Sequence, residues 1–313
     1  MPIKRRTARS GYLHICQKTA DNGILFYTTE DFLVLFTLLC VMAESHGVVI
    51  LALAIMFNHI HLGAFFQSAK AASGFMNGVL SVYARLYNKQ HGLTGQLFKK
   101  PFKSAPKMNE KKIRDNLFYI WNNPVEKNAV NVAEKYRWNF LKYMENDHPF
   151  SEPINLSEVS DDLLKLMRKV KEKRESGKFL GYGFFDKSYK SLSKKERKQL
   201  IDYIIIKYNV INVGTLLEMF GSYSSLVLAV NSVTGTEYDL LDDTDSEDYG
   251  HYVKMLGILR DEGINPDAIC FSNRPDSRYN ADEMLLSRLK RRFKTEAGAS
   301  DYEIAKFLHQ LKR

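Results

Sequence analysis

The stretch that decides the fold is Met56-Phe57-Asn58-His59-Ile60-His61-Leu62, which places two histidines two residues apart. Side chains alternate between the two faces of a β-strand, so His59 and His61 point to the same side. Their Cβ atoms would lie about 6.5–7 Å apart along the strand. Two neutral imidazoles at this spacing can bind one divalent cation, although two hydrogen-bonded histidines on a half-buried strand would show the same pattern.

The run before this stretch, residues 48–55, is apolar throughout. A strand that is apolar on both faces is typical of the middle of a sheet, so this run predicts a central strand. Phe57 and Asn58 leave room for a short turn. We therefore expect a β-hairpin with both histidines on its second strand.

The remaining elements of residues 1–147 predict an α+β fold with an antiparallel sheet and helices. The predicted order is β-β-α-β-β-α-(β)-α. Apart from the hairpin, the predicted strands are Tyr12–Gln17 and Ile24–Thr28, joined by a turn at Asp21-Asn22-Gly23. The predicted helices run from Thr29 to Glu44, from Ser68 to Gln90, and from Asn109 to a stop at Pro124.

A change of composition at residues 148–161, which are mostly polar and contain two prolines, predicts a linker. We expect it to separate residues 1–147 from a helical accessory domain at 162–313. Its helices are predicted at 157–175, from Ser193, in two pieces of 213–231 broken at Gly221, at 280–296 and from Ser300 to the end.

Two patterns in the second half have a functional and an ordinary interpretation. Residues 243–248 resemble the start of a calcium-binding loop but lack its required Gly and Glu, so we expect an acidic solvated loop. A DNA-binding helix-turn-helix would have to be built from 281–296 and 301–313. A cationic helix of this kind is more often a solvated face.

The composition favours a nucleic-acid partner. The chain has 313 residues, a formal charge of +9 and a pI near 9.2, which favours a polyanionic ligand. Three scattered cysteines exclude a disulfide framework and a zinc knuckle and fit a reducing cytosol. The basic N-terminus is not followed by an apolar core, and residues 48–56 are too short to cross a bilayer, so we expect neither a signal peptide nor a membrane span.

A second candidate for chemistry is the helix over residues 111–123. Its apolar stripe leaves Tyr119 about 160° from Leu117, off the expected core face. Asp115, Tyr119 and Asn123 share one side of the helix. The Asn123 amide oxygen could then be a third metal ligand, with the Tyr119 hydroxyl beside the same ion. An exposed aromatic beside a solvated helix end is the alternative.

At this point the sequence resembles the HUH single-tyrosine transposases, and more closely the REP-associated tyrosine transposases. Residues 56–61 resemble their Met-Pro-Asn-His-hydrophobic-His motif, and 95–104 resemble Gly-x-Leu-Trp-Gln-x-x-Tyr-Lys-Ser. Residues 119–125 are similar to Tyr-Ile-x-x-Asn-Pro-Val, and 136–140 to Tyr-x-Trp-Ser-Ser. The four motifs occur in the family's order over roughly residues 10–145, and that order makes the resemblance specific.

The resemblance implies an HUH nuclease domain with a ferredoxin-like sheet. It implies that His59 and His61 bind Mg²⁺ or Mn²⁺, that Asn123 is the third ligand, and that Tyr119 is the nucleophile. The implied activity is nicking and strand transfer of single-stranded or hairpin-flanking DNA through a 5′-phosphotyrosine. Phe57, Phe98 and Lys99 replace Pro, Trp and Gln of the family motifs, which puts the shape of the DNA groove in doubt.

The basic and aromatic residues near this site are expected to contact DNA, as phosphate ligands or as stacking platforms. They are Phe98, Lys99, Lys100, Lys103, Lys111, Lys112 and Arg114. For each lysine taken singly, an ordinary solvated surface is an equally good interpretation.

Other functions stay open at this point. A relaxase or replication initiator would use the same chemistry, and a non-catalytic DNA-binding protein could keep the same fold. Tyr83 and Tyr87 are rival nucleophiles, but they fall among the apolar positions of their helix. We expect DNA as the partner and the bacterial cytoplasm, in association with the nucleoid, as the location. Both monomer and dimer are compatible with the sequence.

Overall fold

The computed structural model describes residues 11–20, 23–99, 101–185, 187–232, 248–271 and 281–310. Its centre is a four-stranded antiparallel sheet in the order β2-β3-β1-β4. The strands are β1 (Gly11–Lys18), β2 (Val49–Ile55), β3 (His59–Phe66) and β4 (Lys103–Pro106). Three helices accompany them: α1 (Thr29–Ser45), α2 (Ala69–His91) and α3 (Glu110–Glu126). The α+β class with an antiparallel sheet is confirmed.

The hairpin that carries the histidines is confirmed, but its first strand is not central. β2 lies at one edge of the sheet and pairs only with β3 among the named strands. The other side of β2 is covered from far along the chain, since Ile50 forms a bridge with Ile211 and the Asn212 N–H donates to the Ile50 carbonyl at 2.8 Å. Both faces of β2 are apolar because they are buried, with α1 and α3 packed against the strand.

The strand predicted at Ile24–Thr28 is wrong. The segment is buried but irregular, because the Leu25 and Phe26 N–H groups both donate to the Phe57 carbonyl, at 2.8 and 3.2 Å, instead of forming a ladder. The observed order is therefore β-α-β-β-α-β-α. Asp21 and Asn22 of the predicted turn lie outside the described residues.

The helix ends follow capping chemistry, with small shifts from the prediction. Thr28, not Thr29, caps α1 in a capping box with Asp31. Ser68 caps α2, which ends at Gly92 in the left-handed region at φ 65°. Asn109 caps α3, and this helix continues past the predicted stop at Pro124. A proline in the last turn removes a single helical hydrogen bond, so that turn survives.

The two faces of the sheet are covered by different helices. On the face shared by the histidines, α3 approaches so closely that a Cβ on Gly63 would lie 2.0 Å from the Tyr12 hydroxyl oxygen and 3.0 Å from Ile120 Cδ1. On the opposite face, α2 places Phe75 against Phe66, with ring centroids 5.9 Å apart. Helix α3 therefore covers the face of the sheet that carries the histidines.

The second half of the described chain is helical. Its helices are α4 (Asp161–Glu175), α5 (Lys187–Ser191), α6 (Lys194–Tyr208), α7 (Val213–Phe220), α8 (Tyr223–Ser232), α9 (Tyr249–Asp261), α10 (Pro266–Cys270), α11 (Glu283–Thr295) and α12 (Asp301–Phe307). The capping boxes at Ser193 and Ser300 and the break at Gly221 are confirmed. α4 begins later than predicted, and α12 ends at Phe307. The acidic segment 243–248 lies outside the described residues except for Asp248.

Both halves share one hydrophobic core. Polar contacts also join them: the Tyr27 hydroxyl donates to the Phe307 carbonyl at 2.7 Å, and Arg137 pairs with the fully buried Asp202. The division into domains at 148–161 stays a prediction. Within the described ranges, no single helix is long and apolar enough to cross a membrane; only α7 and α8 taken together, bent by 73°, meet that test of length and composition.

Candidate functional site

The two histidines of β3 point to the same face, as the strand period predicts. Their ring centroids lie 4.7 Å apart, with the planes at 85° to each other. His59 is 5% exposed and His61 is fully buried. The pair therefore lies inside the protein, between the sheet and α3.

A third histidine, which belongs to none of the sequence motifs, joins this pair. His14 lies on the neighbouring strand β1, with its Nε2 atom 3.0 Å from His61 Nδ1. One of these two nitrogens must carry the proton that bridges them. Since His61 Nδ1 faces His14, Nε2 is the nitrogen through which His61 would bind another group. A lone histidine inside the apolar strand Tyr12–Gln17 was the available signal in the sequence.

Helix α3 brings the tyrosine and the amide to the same place. Asn123 Oδ1 lies 3.2 Å from His59 Nε2, and Asn123 Nδ2 is 3.5 Å from the Tyr119 hydroxyl. The Tyr119 ring makes edge contacts with His14 and His61, at centroid distances of 5.5 and 5.2 Å. All four residues predicted for metal binding and nucleophilic attack are thus adjacent, while their roles stay predictions.

The prediction that Tyr119 lies off the core face is wrong as far as burial is concerned. Its side chain is 6% exposed, and Asn123 is 1% exposed. Helical periodicity identifies a separate face of α3 correctly, but that face rests on the histidines of the sheet instead of on water. The candidate site is therefore closed in this structure.

One pair of the proposed ligand atoms, on His59 and Asn123, has a spacing that two ligands of a small divalent ion can have. Two ligands at right angles around an ion with bonds of 2.0–2.1 Å lie about 3 Å apart, close to the separation of His59 Nε2 and Asn123 Oδ1. Imidazole nitrogen suits Mn²⁺, and amide oxygen suits Mg²⁺. Within the part of the chain that is described, no group of three or more His, Cys, Asp and Glu side chains is arranged to hold a metal ion. The proposed set of metal ligands therefore needs the Asn123 amide oxygen in addition to the two histidines.

The cations predicted to contact DNA differ in their surroundings. Lys99, Lys103, Lys111 and Lys112 are exposed. Lys103 pairs in register with Cys16, which pairs with His61, so Lys103 lies on the histidine face of the sheet. On the same face, and also missed from the sequence, Lys18 lies opposite His59. Lys100 lies outside the described residues.

Two of the residues predicted to contact DNA also make contacts within the protein. Phe98 is 4% exposed, with its ring 6.0 Å from that of Tyr83, so a base cannot stack on it in this structure. Arg114 pairs with Glu110 at 2.6 Å, donates to the Met219 carbonyl and lies over the Phe220 ring. These contacts tie α3 to α7, and sequence spacing alone could not show them.

The rival tyrosines are in the core, as predicted. Tyr83 and Tyr87 are fully buried and donate to backbone carbonyls of Asp31 and Leu25, at 3.2 and 2.8 Å. Burial raises the pKa of both hydroxyls well above the usual value, with the nearby Asp31 adding to the effect. These two hydrogen bonds do not connect either hydroxyl to His59 or His61.

Comparison with known proteins gives a distant match among solved structures. No family model matches the chain, and no curated protein matches it. Among solved structures, the chain is similar to a REP-associated tyrosine transposase bound to a REP hairpin, with 14% sequence identity and a TM-score of 0.41. The match covers 46% of this chain and 84% of that one.

Proposed function

We propose that the protein is a metal-dependent enzyme that nicks single-stranded DNA and transfers the strand through a 5′-phosphotyrosine. The observation that supports this most is the convergence of His59 Nε2, Asn123 Oδ1 and the Tyr119 hydroxyl on one side of the sheet. A DNA-binding protein without activity would need none of these three groups together. The resemblance of the four sequence motifs to those of REP-associated tyrosine transposases favours hairpin-flanking DNA as substrate.

In this proposal Tyr119 is the nucleophile. Its oxygen attacks the phosphorus of one phosphodiester in line, and the bond from phosphorus to the 3′ oxygen breaks. Tyr119 loses its proton, and the leaving 3′ oxygen gains one as it becomes a hydroxyl. A second 3′-hydroxyl can reverse the reaction on another strand, because the phosphotyrosine conserves the energy of the broken bond.

The chain holds Tyr119 and Asn123 one helical turn apart, so a single rigid element positions the nucleophile and a ligand. His59, His61 and Asn123 would hold Mg²⁺ or Mn²⁺, which, when bound, polarises a phosphate oxygen and offsets charge in the transition state. Lys18 and Lys103, on the same face of the sheet, would neutralise flanking phosphates. The four site residues are at most 6% exposed. In this proposal, α3 or the residues packed around it must therefore move before DNA can reach Tyr119.

The same burial supports a second candidate function, a DNA-binding protein without catalysis. In that case the histidines, Asn123 and Tyr119 form a buried hydrogen-bonded cluster, and the exposed lysines of β4 and α3 bind DNA by charge alone. The two candidates differ in whether a covalent bond to DNA forms.

The test is a covalent-adduct assay with labelled single-stranded hairpin DNAs and Mn²⁺, read on a denaturing gel. We expect a metal-dependent adduct that is lost in Tyr119→Phe and in His61→Ala. Tyr203→Phe is the matched control, since Tyr203 is a half-exposed tyrosine on α6, and it should keep the adduct. Tight hairpin binding without any adduct would favour the non-catalytic function, and an adduct that survives Tyr119→Phe would contradict the assigned nucleophile.

A further inference from the structure

His59 is supported from behind by a hydrogen-bond chain that begins in the second half of the protein. Tyr249, the first residue of α9, donates its hydroxyl proton to Asn58 Oδ1. The same oxygen lies 2.8 Å from His59 Nδ1, and the Tyr249 oxygen lies 3.3 Å from that nitrogen. All three side chains are buried, with exposed fractions of 2–7%.

The position of Tyr249 is fixed by two further contacts. Its backbone N–H donates to the Lys127 carbonyl at 2.8 Å, directly after α3 ends. Its ring packs edge-on against Phe57 in the hairpin turn, with centroids 5.5 Å apart. The start of α9 is therefore held against both elements that carry the candidate site.

This chain determines which nitrogen of His59 carries the proton. An amide oxygen only accepts hydrogen bonds, so with Oδ1 directed at His59 the imidazole must donate from Nδ1 to form this bond. Asn123 Oδ1, 3.2 Å from Nε2, is also only an acceptor, so the two amides compete for the single proton of a neutral ring. The Asn58 contact is shorter, at 2.8 Å, and its oxygen is held in place by Tyr249, which favours the proton on Nδ1. The lone pair of Nε2 then faces the oxygen of Asn123, and a cation between the two atoms would bind both. With the Asn58 amide turned over, its NH₂ group would donate to Nδ1. The His59 proton would then lie on Nε2 and block metal binding.

We propose that Tyr249 is a positioning residue of the candidate site, which through Asn58 holds His59 with its proton on Nδ1. The identity of the group that His59 Nε2 then binds, a divalent cation, rests on the proposed function. The second half of the protein thus completes the site. A hydrogen-bond partner that orients a metal-binding histidine typically changes metal affinity about 10–100-fold when it is removed.

The test measures the His59 ring in metal-free protein by long-range ¹H–¹⁵N NMR correlation, and Mn²⁺ affinity by calorimetry. In the wild type we expect the proton on Nδ1. In Tyr249→Phe we expect a mixture of both tautomers and Mn²⁺ binding about 10–100-fold weaker. Tyr208→Phe is the matched control: it also removes a buried hydroxyl, which donates to the Lys178 carbonyl at 2.6 Å, and should change neither quantity.

A wild-type His59 that carries its proton on Nε2 would overturn the proposal without any variant. So would a Tyr249→Phe protein with the wild-type tautomer and affinity. If that variant does not fold, Asn58→Ala removes the acceptor itself, and unchanged His59 signals there would overturn the proposal equally. Both measurements are made without DNA, so the expected tautomer together with a failed adduct assay would refute the proposed function and leave the role of Tyr249 intact.

Discussion

Raising the pH is expected to weaken a buried ion cluster that joins α2 to the second half of the protein. His91, the last residue of α2, has its Nε2 atom 3.2 Å from Asp31 Oδ1 and its Nδ1 atom 3.1 Å from Asp267 Oδ2. Asp31 is fully buried, and Asp267 belongs to α10. Burial alone would lower the pKa of His91, but the hydrogen bonds to Asp267 and Asp31 outweigh it and raise the pKa to about 9.

The size of the effect follows from linkage. A histidine whose pKa rises from 6.5 to about 9 on folding contributes about 3 kcal/mol to the free energy of unfolding. The folded state binds the proton more tightly, so this contribution is complete below pH 6.5. It is lost as the pH rises through about 9. Between pH 6.5 and about 8, before the thiols of an unfolded chain ionise, the expected loss is about 1–2 kcal/mol.

Urea unfolding across that pH range measures the loss directly. In Asp267→Asn the pH dependence should be clearly flatter, because one of the two carboxylates that raise the His91 pKa is neutral. Asp261→Asn is the matched control, since it removes an exposed carboxylate at the end of α9, and it should follow the wild type. Equal pH dependence in wild type and Asp267→Asn would refute the assignment of the raised pKa to this cluster.

Three further predictions concern the sheet and the site. Gly63→Ala should lower the unfolding free energy by about 1–3 kcal/mol, because its Cβ would lie 2.0 Å from the Tyr12 hydroxyl. Gly183→Ala is the control and should be neutral, because the space around Gly183 is open. Equal melting temperatures of Gly63→Ala and the wild type would contradict this account. Asn139→Ala removes the donor from two buried carbonyls and should cost roughly 1–3 kcal/mol in urea unfolding, whereas an unchanged midpoint would show that water replaces the amide. Mn²⁺ at about 100 times its Kd should stabilise the wild type by about 2.7 kcal/mol in thermal unfolding but not His59→Ala, and equal stabilisation of both would place the ion elsewhere.

Local patterns in the sequence predicted the elements that carry the site. The strand period placed His59 and His61 on one face, and polar caps such as Ser68 and Asn109 marked the helix starts to within a residue. These signals work because they depend on neighbours in the chain. The prediction of Asn123 beside the histidines depended on the family resemblance as well.

The errors and omissions that concern β2 and the candidate site arise from contacts distant in sequence. The apolar pattern of β2 could not reveal that its edge is covered by Ile211. Helical periodicity separated Tyr119 from the apolar stripe of α3. It could not show that the face of α3 with Tyr119 packs on the histidines of the sheet. Tyr249 approaches His59 across 190 positions of sequence, and no local pattern marks a tyrosine with that role.

The central claim is that Tyr119 forms the bond to DNA, and mapping the linked peptide tests it most directly. Trypsin cleaves after Arg114 and Lys127, which releases residues 115–127 with a single tyrosine. After reaction with hairpin DNA and nuclease trimming, mass spectrometry should find a 5′-phosphonucleotide on Tyr119 in this peptide. A nucleotide on a peptide that carries Tyr83 or Tyr87, with residues 115–127 unmodified, would contradict the account.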